Sequence, residues 1–101
     1  MRAHTKLVPN EGWARYTKSR ALIDYAVSLT RTKGWRYLNP TSDTLVVEAP
    51  ASSGNLYLEV REGKAFDAVL YPPTQSDPEF DRVASDLATE FHLQKDDGYG
   101  G

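Results

Sequence analysis

Two carboxylates, Glu59 and Asp67, lie in neighbouring segments in which apolar and polar residues alternate. The segments LYLEVR (56–61) and AFDAVLY (65–71) have the period of two that is typical of β-strands. A connection of three residues, 62–64, places the two carboxylates opposite each other across the strand pair. Paired carboxylates can act as general acid and base or bind a cation. One hypothesis is therefore a small enzyme that uses this pair.

The same register assigns the other side chains of these strands to two faces. It turns Phe66, Ala68 and Leu70 toward an apolar face, with Val60 opposite Phe66. A two-residue connection would place Glu59 opposite Phe66 and invert the faces, so we do not expect one. On the other face, tyrosines and valines supply apolar area, and carboxylates favour a basic partner. Our preferred hypothesis is a protein-binding surface formed by Val46, Glu48, Tyr57, Glu59, Asp67, Val69 and Tyr71.

Positive charge is concentrated in the first part of the chain. Residues 1–40 contain eight Lys or Arg and two acidic residues, whereas residues 41–101 contain four and twelve. Such asymmetry between two parts of a chain can mark a contact with nucleic acid or with a membrane. At 100° per residue, however, the basic side chains surround the first helix, and we expect them to balance the acidic part of the chain. The alternative hypothesis, a nucleic-acid-binding accessory protein, uses Arg15, Lys18, Arg20, Arg31, Lys33 and Arg36.

Other groups that could carry chemistry are sparse. His4 and His92 are far apart in the sequence, and neither has a hydroxyl or carboxylate at a useful spacing. The segment SSG (52–54) lacks the lysine and the following helix of a phosphate-binding loop. The chain contains no cysteine, which excludes disulfides, thiolate metal sites and a cysteine nucleophile. Apart from the carboxylate pair, we predict no catalytic residue, no metal and no cofactor.

A helix precedes the strands in the expected order of elements. Apolar residues recur at helical spacing from Trp13 to Lys33, and Asn10 is a suitable N-cap. Lys33 in the last turn, followed by Gly34, indicates the end of this helix.

Two further segments have the composition of strands. WRYL (35–38) is predicted to be a short strand, followed by a turn in NPTSD (39–43). TLVVEA (44–49) is predicted to be a strand with its odd-numbered residues on the apolar side. Whether WRYL joins the sheet as a fourth strand stays open at this point.

The segment SDPEF (76–80) is the strongest local signal in the chain and marks the start of a second helix. Asp77 can be the N-cap with Pro78 at the first helical position, or Ser76 and Glu79 can form a capping box. An apolar stripe at helical spacing follows, formed by Phe80, Val83, Ala84, Leu87, Ala88 and Phe91.

These elements predict an α+β fold in the order α-β-β-β(-β)-α. One apolar sheet face and two amphipathic helices favour a two-layer sandwich, with an antiparallel meander sheet and both helices on one face. A chain of 101 residues suits one domain. We divide it into an N-terminal arm (1–9), a single α+β domain (10–93) and a flexible C-terminal tail (94–101).

This order of elements resembles that of double-stranded-RNA-binding domains and of HicA-type ribonuclease toxins. The helix that ends in KGW (33–35) before a strand is similar to the start of those toxins. The toxin family carries its catalytic histidine in the sheet, whereas this chain has no histidine between residues 5 and 91. The RNA-binding family grips phosphates with a lysine-rich start of its second helix, whereas SDPEFD (76–81) is acidic. The resemblance therefore implies the fold and neither function.

Composition also bears on location and partners. No apolar run approaches the ~18 residues of a membrane helix, and no apolar stretch follows the N-terminal charge as in a signal peptide. We therefore expect a cytoplasmic protein without a membrane contact. The preferred function is a non-enzymatic protein-interaction module, such as an inhibitor, an immunity-type protein or an adaptor. Its expected partner is another protein or a second copy of the chain, and nucleic acid is the alternative.

Overall fold

The computed structural model describes residues 4–38 and 41–96. Within them, six strands form one antiparallel sheet in the order β2-β3-β4-β5-β1-β6. The strands are β1 (Thr5–Pro9), β2 (Arg36–Leu38), β3 (Thr44–Glu48), β4 (Asn55–Arg61), β5 (Lys64–Tyr71) and β6 (Leu93–Lys95). The helices are α1 (Ser19–Thr32) and α2 (Pro78–Thr89), and a 3₁₀ turn (Trp13–Arg15) precedes α1. WRYL therefore joins the sheet, through β2.

Both helices pack on one face of the sheet, as the apolar patterns predict. Each helix buries one side, α1 through Leu22, Ala26 and Leu29 and α2 through Phe80, Val83 and Leu87. These side chains form a single core cluster with alternate residues of the strands, which include Leu7, Val47, Leu56, Leu58, Ala68, Leu70 and Leu93. The predicted two-layer α+β sandwich is confirmed.

The first helix starts later than predicted. Asn10 does not cap it, because the chain turns at Pro9–Gly12, where Gly12 has φ 82°, and α1 begins only at Ser19. The intervening Tyr16 is buried, and its hydroxyl donates to the carbonyl oxygen of Phe91 at 2.7 Å. A distant contact thus interrupts the helical pattern. The end of α1 is as predicted, with Gly34 at φ 71°.

The ends of the chain contribute more to the sheet than predicted. Residues 5–9, which we interpreted as part of an arm, form β1 between β5 and β6. Leu7 pairs with Ala68 of β5 and with Lys95 of β6, so the first two residues of the predicted tail also lie in the sheet. Residues 1–3 of the arm, 39–40 of the turn and 97–101 of the tail lie outside the described residues.

The connection between β4 and β5 differs from the predicted one. It is a two-residue turn, because Arg61 pairs with Lys64, and its central residues have φ 52° and 77°. Both central residues therefore adopt the positive φ of a type I′ hairpin turn. A β-bulge at Phe66 then shifts the register, so that Glu59 still pairs with Asp67. Val60 pairs with Ala65, and the predicted inward position of Phe66 is wrong because Phe66 is exposed.

The first residue of α1 contacts the strand that carries the bulge. Ala65 lies next to the extra residue, and its backbone N–H donates to Ser19 Oγ at 3.1 Å. Ser19 and Ala65 are both buried, so solvent does not replace this hydrogen bond.

The start of α2 agrees with the N-cap reading of Asp77. Asp77 Oδ1 accepts the backbone N–H groups of Glu79 and Phe80, at 3.1 and 3.4 Å. Its other carboxylate oxygen accepts the hydroxyl of Ser52 at 2.5 Å, and both residues are buried. Ser52 thus ties the loop between β3 and β4 to the helix cap, which gives the SSG segment a structural role.

Ser19→Ala should lower the free energy of unfolding by about 1–3 kcal/mol, because the Ala65 N–H stays buried without an acceptor. Urea unfolding measures the change. Ser85→Ala is the matched control, since Ser85 is exposed on α2 and alanine is the better helix former. Equal stabilities of the two variants would contradict this role of Ser19.

Stability should fall at alkaline pH through Tyr16. Burial, assisted by nearby Glu11, raises the pKa of Tyr16 from 10.0 to about 12. The folded protein keeps a proton that the unfolded chain loses, so the free energy of unfolding decreases as pH rises from about 10 to about 12. Tyr16→Phe should make this slope shallower in urea unfolding at a series of pH values. Tyr37→Phe, at an exposed position, should leave the slope unchanged.

Candidate functional site

The sheet face opposite the helices is the candidate site, and we call it the outer face. In the part of the chain that the structure describes, both helices pack with the core cluster on the other side. A continuous row of paired residues crosses the centre of the outer face, formed by Leu38, Val46, Tyr57, Val69 and Lys6. The row connects five strands, from β2 to β1.

The structure brings together the seven residues that the sequence suggested for a partner surface. Tyr57 pairs with Val46 on one side and Val69 on the other, and Glu59 pairs with Asp67. Asn55 pairs with both Glu48 and Tyr71, which completes a second row. None of the seven belongs to the core cluster.

The centre of the outer face is partly shielded from water by its own side chains. Val69 is only 6% exposed although it lies outside the core cluster. Val46 and Tyr57 beside it are half-buried. Burial raises the pKa of Tyr57, and the carboxylates of Glu59 and Asp67 raise it further. The middle of the face is therefore an apolar strip with one phenol that resists ionisation.

Each carboxylate of the outer face is paired with a cation. Arg36 Nη2 lies 2.9 Å from Glu48 Oε1, and Arg61 Nη2 lies 2.6 Å from Glu59 Oε2. Asp67 Oδ2 lies 3.9 Å from Lys6 Nζ, and its other oxygen accepts the N–H of Ala68 at 3.0 Å. The acidic residues are thus largely compensated within the face. This arrangement argues against the expectation that they select a basic partner.

The same ion pairs link the two differently charged parts of the chain. Lys6 and Arg36 come from the basic first 40 residues, and their partners Asp67 and Glu48 come from the acidic remainder. This is the intramolecular balance that the charge distribution indicated.

The carboxylate pair has few features of a catalytic site. Glu59 lies opposite Asp67, as predicted, but Arg61 and Lys6 each occupy one of the two groups. The pair lies on an open sheet face, which does not exclude water from a reaction. His4 contacts the ring of Tyr71, with ring centroids 5.7 Å apart.

The six basic residues of the nucleic-acid alternative do not share one surface. Lys18 and Arg20 lie at the start of α1, whereas Arg31 lies in its last turn. Arg20 and Arg31 are eleven residues apart, which corresponds to about 17 Å along the helix axis. Arg15 precedes the helix and Lys33 follows it, while Arg36 lies on the outer face, where it forms an ion pair with Glu48. Arg20 pairs with Asp24 at 3.4 Å.

Sequence reasoning missed one residue of the outer face, Phe66. Because Phe66 is the extra residue of the bulge, it does not follow the alternation of the strand that would turn it toward the core, and its side chain is 43% exposed. The guanidinium carbon of Arg61 lies 5.8 Å from its ring centroid, a cation–π distance. The signal was the pair Glu62-Gly63, which has the composition of a two-residue turn and therefore requires a bulge to preserve the apolar alternation.

A groove lies between α1 and α2, on the side of the sheet away from the outer face. It has a volume of about 410 Å³ and is lined by Tyr25, Leu29, Arg82, Val83 and Asp86 among others. The hydroxyl of Tyr25 donates to Asp86 Oδ2 at 3.0 Å, and burial together with this carboxylate raises the pKa of Tyr25. This hydrogen bond links the two helices, so a structural role explains these two polar residues of the groove.

Within residues 4–38 and 41–96, no group of three or more histidine or acidic side chains is placed to hold a metal ion. None of the helices described has the length and apolar character needed to cross a membrane.

Comparison with known protein families, characterised proteins and solved structures finds no significant match for this chain. The resemblance to double-stranded-RNA-binding domains and HicA-type toxins therefore stays at the order of elements. The strands β1 and β6 extend the sheet beyond that order.

The pKa of Tyr57 tests the arrangement of charges on the outer face. Glu59→Gln should lower this pKa toward 10.0, because it removes a negative charge that disfavours the phenolate. Tyrosine ¹³Cζ NMR over a pH titration measures the change. Glu62→Gln, in the exposed turn, is the matched control and should leave the pKa of Tyr57 unchanged. A Tyr57 pKa that is the same in all three proteins would contradict the arrangement.

Proposed function

We propose that this protein is a non-enzymatic protein-interaction module, of the inhibitor, immunity or adaptor type, that binds a protein partner through its outer face. One observation carries the proposal. A half-buried apolar strip with Tyr57 at its centre crosses a sheet face on which neither helix packs. Internally paired charges border the strip.

The composition of the face supports this function. Protein interfaces have an apolar, aromatic centre that is depleted in charge and a polar rim. Here Val46, Tyr57 and Val69 form the centre, while the ion pairs lie around it. Tyr and Arg are also the residue types that most often dominate binding energy. Tyr57 and Arg61 provide both types on the same face.

The bulge adds to the argument. Exposing a phenylalanine at Phe66 costs hydrophobic free energy, whereas the predicted inward position would have buried it. Bulges re-aim side chains at functional sites in many sheets. An exposed Phe66 beside Arg61 supplies a second contact point for a partner.

The alternatives have weaker support. An enzyme that uses Glu59 and Asp67 would have to release both from their cations. A nucleic-acid-binding protein would have to use basic residues that lie at opposite ends of α1 or on the outer face. As part of this proposal we place the protein in the cytoplasm, because the absence of cysteine suits a reducing compartment.

A protein partner is first captured with the unaltered chain and then purified. Tyr57→Ala should weaken the binding of this partner by at least about tenfold, or about 1.4 kcal/mol, relative to the unaltered chain. The variant removes aromatic area from the centre of the proposed interface. Isothermal titration calorimetry measures the affinity, and thermal unfolding checks that the variant remains folded.

Tyr37→Ala is the matched control. Tyr37 is 52% exposed and pairs with the core residue Val47, so it belongs to the helix side of the sheet. This variant should bind as the unaltered protein does. Equal binding by both variants would show that the partner uses another surface, and unfolding of Tyr57→Ala would show that Tyr57 is structural.

A further inference from the structure

We infer that the partner seated on the outer face is a second copy of this chain, and that two outer faces pack against each other in a symmetric dimer. The inference rests on the proposed function, because it names the occupant of the same surface. Its grounds are the size of the face, its charge balance and the shortness of the sheet edges.

The size of the face suits a stable interface. Five strands spaced about 4.8 Å apart, most of them roughly 17–26 Å long, give a flat projection of roughly 400–500 Å². Side chains that stand up from the sheet add accessible area to this projection. The result is of the same order as the ~800 Å² that each partner contributes to a standard interface.

The charge balance of the face favours a copy of itself. Burying an unpaired charge would cost several kcal/mol, but Glu48, Glu59 and Asp67 already have cations on the same face. A strongly acidic or strongly basic partner would therefore have to break these ion pairs to gain from its charge. A second copy presents the same three compensated pairs, so neither copy has to break them.

The central strip is compatible with two-fold symmetry. In an isologous interface the same patch of both subunits meets at the symmetry axis. An axis near Tyr57 places the strip of Val46, Tyr57 and Val69 against its own copy. Two sheets that pack face to face bury such strips in a layer about 10 Å thick.

The sheet edges are poor alternatives for self-association. The edge strands β2 and β6 are each three residues long. Short edge strands offer few backbone groups for pairing with another chain, and proteins use this feature to prevent edge-to-edge association. Association of copies is therefore expected at the face and not at the edge.

Sedimentation equilibrium from about 1 µM to about 500 µM tests the inference. The mass should rise with concentration from that of the 11.3 kDa chain toward twice that value. Tyr57→Lys should raise the dissociation constant at least about tenfold, because it replaces the aromatic ring at the centre of the strip with a flexible charged side chain. Tyr37→Ala, which alters the other side of the sheet, should dimerise as the unaltered chain does.

A second measurement needs no variant. An equimolar mixture of ¹⁴N- and ¹⁵N-labelled chains is treated with a short amine-reactive cross-linker, and links between unlike chains are mapped by mass spectrometry. These links should join Lys6 and Lys64, which lie on the outer face, and should not involve Lys18 or Lys33 beside α1. Links between chains at Lys18 or Lys33 would overturn the inference.

The outcomes separate this inference from the proposed function. A chain that remains monomeric at the highest concentration overturns the inference, and so does a dimer that tolerates Tyr57→Lys. If such a chain still binds another protein in a manner that depends on Tyr57, the proposed function stands without the dimer. If neither a second copy nor another protein binds through Tyr57, both proposals fail.

Discussion

The register between β4 and β5 depends on one extra residue in β5, and the identity of both sheet faces follows from it. The two-residue turn alone would pair Glu59 with Phe66 and Leu58 with Asp67, which would set a carboxylate opposite a core leucine. The bulge at Phe66 restores the pairs Glu59–Asp67 and Leu58–Ala68. A hydrogen bond from the strand beside the bulge to the first residue of α1 holds this arrangement. The hairpin and the helix therefore stabilise the register together.

Given this register, both helices pack on the same face of the six-stranded sheet. Their apolar sides need one continuous core, which the inward residues of the strands provide. Among the residues that the structure describes, the opposite face is covered by its own side chains. Val69 is nevertheless almost fully buried there, because Tyr57 of β4 and Lys6 of β1 lie on either side of it.

Charge pairing explains how an acidic chain with a basic first part can form such a face. The ion pairs Lys6–Asp67 and Arg36–Glu48 each join one residue from either part. They are partly exposed, so each contributes little to stability. In the proposed interface their effect is on recognition, because paired charges do not attract a strongly charged partner and leave no unpaired charge to be buried. The proposed association of two copies follows from this balance.

Local signals in the sequence determined the elements whose conformation depends on neighbouring residues. Asp77 before Pro78 starts α2, Gly34 ends α1, and strict alternation assigned the residues of β3 and β4 to their faces. The residues of the outer face could be named for the same reason. Only the tertiary structure decided that residues 5–9 form a strand, that α1 begins at Ser19 and that a bulge lies in β5. Each of these features depends on a partner that is distant in the sequence. The first strand pairs with β5 and β6, the segment before α1 contacts Phe91 after α2, and the strand beside the bulge contacts α1. Sequence patterns report the preferences of a segment, whereas these contacts form only when the chain has folded.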